Sequence, residues 1–341
     1  MNDSDPNTAS TSGPQPAVSN SAVTGPGLTS PPASSLIHRF FVGPNGIRAG
    51  WRFAIFLLLA TTFAFAVQLL LRFVLSGSAG KRINPGLVGQ LAGEPLLFLG
   101  VLLAALVMGR FERRTLTDYG LPGRGAFGAQ FWRGVVWGFL ALTVLLLLIK
   151  LGHGFDFGTL ALSGTKIELW ASLWAVSFLF VGFFEEFLFR GYALFTLSTG
   201  MGFWPSALLL SAAFGAVHLF NGGEDWAGAL AAGLIGLFFC LTLRRTGSLW
   251  FAVGLHAAWD YAESFIYGVP DSGQISPGHL LNASFHGPTW LTGGSVGPEG
   301  SAFVFVIIAA LFIIFAVLYR GVRFPRAAVA GSAGLQPGMP T

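Results

Sequence analysis

The sequence predicts an all-α fold: a polytopic membrane bundle of about eight transmembrane helices, with both termini cytoplasmic. Three observations carry this. The 341 residues are 53% hydrophobic and only 10% charged, against about 45–50% and about 25% in soluble domains. The apolar residues fall in blocks long enough to cross a hydrocarbon core, which takes about 20 residues. The 47 glycines suit a membrane bundle, where small residues let helix backbones approach closely.

Residues 1–35 are rich in Ser, Thr, Pro, Gly and Asn and hold no Lys or Arg. Such a stretch buries too little apolar surface to offset the entropy of ordering, so a disordered N-terminal tail is expected. It lacks the charged and apolar regions of a signal peptide, so the first span is expected to direct insertion itself. The membrane domain is placed at 36–325 and a short C-terminal tail at 326–341. Apolar blocks place spans near 53–75, 86–108, 134–150, 168–197, 204–220, 226–243, 247–266 and 302–319. The fourth is long enough to tilt or to run past the membrane edge. Gly200-Met201-Gly202 breaks the chain after it, and Pro205 sits in the first turn of the fifth, where proline is tolerated. The connection 267–301 is rich in Pro and Gly, and long connections of this kind are either functional covers or passive linkers.

Orientation follows from the basic residues, which concentrate on the cytoplasmic side. With the N-terminus inside, fourteen of the 19 Lys and Arg fall on one side, and Arg72, Lys81, Arg82, Lys150 and Lys166 on the other. The net charge of +4 is thereby explained by topology, and no nucleic-acid partner is expected. Cys240 is the single cysteine, so no internal disulfide forms and it reads as a small packing residue. The expected setting is a multi-pass position in a bacterial inner membrane, with membrane lipid as a partner.

Ionisable groups inside a bilayer cost from about 2.5 kcal/mol upward and are rare unless paired or functional. Glu94, Glu185, Glu186, Arg190, His218, His256, Asp260 and Glu263 all fall within the predicted spans. Glu186 and Arg190 are four apart, so they share a helix face and can pair. Glu185 is rotated by about 100° from Glu186 and keeps no such partner, which makes it the better candidate for chemistry. Taken alone, the cluster reads as a structural ion pair with a spare carboxylate. His218, four residues after Phe214, and His256, four before Asp260, lie in two further apolar helices. A carboxylate beside an imidazole fixes its tautomer and raises its basicity. Glu94 and Glu263 have no nameable partner, and a helix-end position is expected for both.

These residues carry a family resemblance. Glu185-Glu186-x-x-x-Arg190, Phe214-x-x-x-His218 and His256-x-x-x-Asp260, in this order on separate helices, resemble the CPBP family, also called the CAAX protease and bacteriocin-processing or Abi family. The resemblance covers about 168–266 and implies an intramembrane endopeptidase acting on membrane-associated or lipidated protein or peptide substrates. It implies that Glu185 and His218 activate a water, that Glu186 and Arg190 support them, and that His256 and Asp260 stabilise the oxyanion. Some members carry Asn where this chain has Asp260; an ionised Asp cannot donate a hydrogen bond, so Asp260 is expected to orient His256. A divalent metal such as zinc is left open, with Glu185, His218 and His256 as candidate ligands. Two other classes stay in view. A proton-coupled transporter would use the same residue types and would show inverted repeats with broken helices, and a non-catalytic immunity or scaffold protein would keep the fold without turnover. Oligomeric state is not readable.

Overall fold

The computed structural model describes residues 40–43, 46–77 and 85–324. The tails expected at 1–35 and 326–341, and Lys81 and Arg82 of the orientation argument, lie outside the described residues. The protein is a helical membrane bundle. In chain order the helices are α1 Ala49–Gly77, α2 Pro85–Glu112, α3 Ala129–Leu151, α4 Thr165–Glu186, α5 Leu194–Met201, α6 Phe203–His218, α7 Trp226–Thr246, α8 Trp250–Asp260, the single turn α9 Thr289–Thr292, and α10 Ala302–Leu318. Two-residue strands β1 Val42–Gly43 and β2 Gly46–Ile47 pair before α1, and β3 Phe155–Asp156 pairs with β4 Ser284–Phe285.

Helices lie at all eight predicted positions, but they are not equally long. Five stretches are long and apolar enough to cross a membrane: Ala49–Phe73, Ala92–Glu112, Ala129–Leu151, Thr165–Met201 and Trp226–Thr246. The predicted fourth span proves to be α4 and α5 joined through a π-helical segment, Phe187–Ala193. α6 and α10, with 16 and 17 residues, reach only about 24–26 Å at 1.5 Å per residue, short of a hydrocarbon core of about 30 Å. α8 continues into a second π-helical segment, Tyr261–Tyr267. α1 leaves Leu58, Phe65 and Phe73 exposed. An apolar surface of that extent belongs against lipid.

Glycine sets the closest crossing. α3 packs on α8 with Gly134 and Gly138 facing the carbonyls of Phe251 and Leu255, while Gly254 faces the carbonyl of Phe131. A Cβ at any of the three would run into that backbone, so only glycine lets α8 sit this deep. His256 and Asp260 are placed in the interior by this seam.

The two ends of the bundle differ. At one end Leu249 donates its N–H to the Gly120 carbonyl, and Arg244 and Arg245 bind the carbonyls of Phe324 and Arg320. At the other, three connections form a cap. β3 pairs with β4, the Ser295 hydroxyl donates to the Gly223 carbonyl at 2.9 Å, and the Trp174 indole donates to the Pro277 carbonyl at 2.9 Å. The long 267–301 connection is therefore tied down along its length and forms a wall of the molecule.

Candidate active site

Under this cap lies a cavity of about 330 Å³. α4 contributes Glu185, α6 contributes Phe214 and His218, α8 contributes His256 and Asp260, and the cap adds Asp271 and Glu299. Trp174, Phe178, Val181, Leu255 and Ile308 form an apolar part of its wall, beside polar residues such as Ser177, Asn221 and Gln274.

Glu186 and Arg190 pair as their spacing predicts, at 3.1 Å, and neither is exposed. The guanidinium lies 4.1 Å from the ring centre of Phe214, with Phe189 and Phe239 at 5.6 and 5.5 Å. Aromatic faces attract a cation and replace part of its lost hydration. Gly236 makes room for it, since a Cβ there would meet Nη2 of Arg190.

The same Glu186 carboxylate oxygen lies 2.9 Å from Nδ1 of His256. This adds a second carboxylate to the expected contact with Asp260: Asp260 is 3.5 Å from Nε2, and Glu185 is 3.6 Å from that nitrogen. Phe239 stacks on the ring at 5.5 Å between centres. The sequence missed the Glu186–His256 contact because it joins residues 70 apart, and a helical period shows only neighbours on one helix.

His218 ends α6, with Nδ1 2.7 Å from the Phe214 carbonyl. A carbonyl only accepts, so Nδ1 carries the proton. Nε2 is then the unprotonated nitrogen of the neutral ring.

The π-helical segments begin directly after Glu186 and after Asp260. A widened turn rotates the chain that follows, and such turns are frequent at functional sites. Within the first, Gly191 leaves helical geometry altogether, with φ −82° and ψ −111°.

Glu94 corrects an expectation. It lies within α2 rather than at a helix end, lines the cavity, and has a buried Oε2 without a hydrogen-bond partner. Glu263 does sit in the segment that ends α8, fully buried. In the cap, burial pushes the Asp271 carboxyl well above the usual carboxylate range, and Asp260 and Glu299 push it further.

Glu185, His218 and His256 are not among the described groups whose donor atoms all come within 4.8 Å of one another. These side chains do not fit a ready three-ligand zinc site.

Residues 167–262 match the family model described as type II CAAX prenyl endopeptidase Rce1-like. No curated protein and no solved structure matches the chain.

Proposed function

Because residues 167–262 form a domain of the CAAX protease family, an intramembrane endopeptidase family, we propose that the protein hydrolyses a peptide bond in membrane-associated or lipidated protein or peptide substrates with a water activated by Glu185 and His218. The observation that carries this reading is the convergence of Glu185, His218, His256 and Asp260, from three helices, on one cavity whose wall is partly apolar.

Each step follows from a named atom. Nε2 of His218 is the free base, and Glu185 faces the cavity with its nearest ionic partner, Nε2 of His256, 3.6 Å away. Together they polarise the water and take its proton as it attacks the scissile carbonyl. The developing oxyanion needs a donor, and Nε2 of His256 is available because Nδ1 is committed to Glu186. With Nδ1 also donating, this is the doubly protonated ring, whose charge Glu185, Glu186 and Asp260 balance from within 3.6 Å. His218 then returns its proton to the leaving amine. Arg190 and Glu186 position His256 and do not touch substrate. The apolar wall suits the hydrophobic part of a substrate, lipid group or side chain.

The test is cleavage of fluorogenic peptides, with and without a lipid group, by purified wild type, Glu185→Ala, His218→Ala and the double variant. Both single variants should lose turnover while still binding substrate. Because the pair acts on one water, the double variant should be little worse than either. An active His218→Ala would remove the mechanism, and an active Glu185→Ala beside an inactive Glu186→Ala would exchange the roles of the two glutamates.

A further inference from the structure

Outside the machinery just described, three carboxylates from separate parts of the chain meet at the junction of α8 and the cap. Glu263 belongs to the π-helical end of α8, Asp271 to the loop that follows, and Glu299 to the 3-10 turn Pro298–Gly300 just before α10. One oxygen from each lies within 4.8 Å of the other two. Glu263 has no exposed surface, and neither of its carboxylate oxygens has a hydrogen-bond partner.

The other two are held in place by neutral donors. The Ser264 hydroxyl donates to Asp271 at 3.1 Å, and the Trp259 indole donates to Glu299 at 3.1 Å. Ser272 donates its N–H and its hydroxyl to the second oxygen of Glu299, at 3.1 and 2.8 Å. None of the three carboxylates joins an ion pair among the described residues. Orientation is thus supplied and countercharge is not. Three acids this close, one wholly removed from water, require a positive charge among them or protons on them.

We infer that Glu263, Asp271 and Glu299 form a divalent-cation site, suited to Ca²⁺, that pins the cap to the end of α8. The donors are all carboxylate oxygens, with no sulfur or imidazole, which selects a hard cation over zinc. Three carboxylates supplied by the protein favour calcium, which takes about 6–8 oxygen ligands in flexible geometry, over magnesium, which keeps several waters and is usually held by one or two carboxylates. Asp271 and Glu299 also line the cavity, so the ion would hold one wall of it. The inference does not rest on the peptidase reading, because binding is measured without substrate.

The experiment uses the full-length protein in detergent, stripped with chelator. Calorimetric titration with CaCl₂ should show one Ca²⁺ per chain and thermal unfolding should shift upward. Terbium substituted for calcium should luminesce through Trp259. Glu263→Gln should abolish uptake, while the stripped variant unfolds no lower than stripped wild type, because a buried unpartnered acid has been removed. Ser272→Ala, which takes a hydroxyl from Glu299, should weaken binding about 10-fold or more, the scale of lost support around a metal site. If Glu263→Gln fails to accumulate, the half-buried Asp271→Asn answers the same question. No Ca²⁺ uptake by wild type, as expected of acids that are merely protonated, overturns the inference. So does uptake unchanged in Glu263→Gln, and Mg²⁺ binding in place of Ca²⁺ overturns the choice of ion.

Discussion

A single carboxylate oxygen, Oε1 of Glu186, accepts from Arg190 and lies against His256. Removing it strands a fully buried guanidinium and frees the imidazole at once. Losing one member of a buried pair costs about 3–5 kcal/mol. Arg190→Leu is therefore expected to reduce folded yield as well as activity, read by size-exclusion profile and thermal unfolding in detergent; a normally folded, fully active variant would show that Glu186 is solvated. Asp260→Asn should be milder, since an amide can still meet Nε2 of His256 at the 3.5 Å position. Measured kcat should fall less than for His256→Ala, and an equal loss would mean that the charge of Asp260 is needed rather than its position.

At the scale of elements, the site depends on how closely α8 can lie on α3. Gly138 meets the carbonyl of Leu255, the residue before His256. A methyl group there must push the helices apart, and overpacking of this sort costs about 1–3 kcal/mol. Gly138→Ala should lower the thermal midpoint and also reduce kcat in the protein that remains folded, because His256 moves with α8. Unchanged activity in a destabilised Gly138→Ala would separate the seam from the site. The sequence showed that glycines were numerous and in helices. It could not show which carbonyl each one faces, since that is a property of the crossing.

For the whole molecule, the cap makes stability depend on pH. Glu224, in the α6–α7 connection, has its carboxyl pushed up to about 7, chiefly by burial, with Glu299 of the cap adding to it. Its folded-state value is raised, so its contribution is fully present below the ordinary value of 4.5 and is lost as pH rises through about 7. The thermal midpoint of wild type, relative to Glu224→Gln, should therefore fall between pH 5 and pH 8, two bounds that are about 2 units or less from that value. A difference independent of pH over that range would mean that Glu224 stays hydrated. Sidedness is tested at the same scale. We expect the cap to face away from the cytoplasm, because the arginines gather at the opposite end. Cysteine placed at exposed Ile275 should react with an impermeant thiol reagent added outside intact cells, and labelling only after lysis would invert the topology.

By itself the sequence determined the solvent, the helices and the chemical types at the site. Long apolar blocks state that the chain lives in lipid, and a charge that survives in such a block must be paired or used, so Glu185, Glu186, Arg190, His218, His256 and Asp260 stood out without any fold. Pairing at four residues' spacing was equally legible, because a helix fixes which neighbours share a face. Tertiary structure decided the rest: that Glu186 serves both Arg190 and His256, that Glu94 reaches the cavity from mid-helix, that π-helical turns follow the acidic residues, and that Glu263 meets Asp271 and Glu299. These are relations between elements far apart in the chain. They depend on crossing angles and on backbone approach, which local periodicity does not encode.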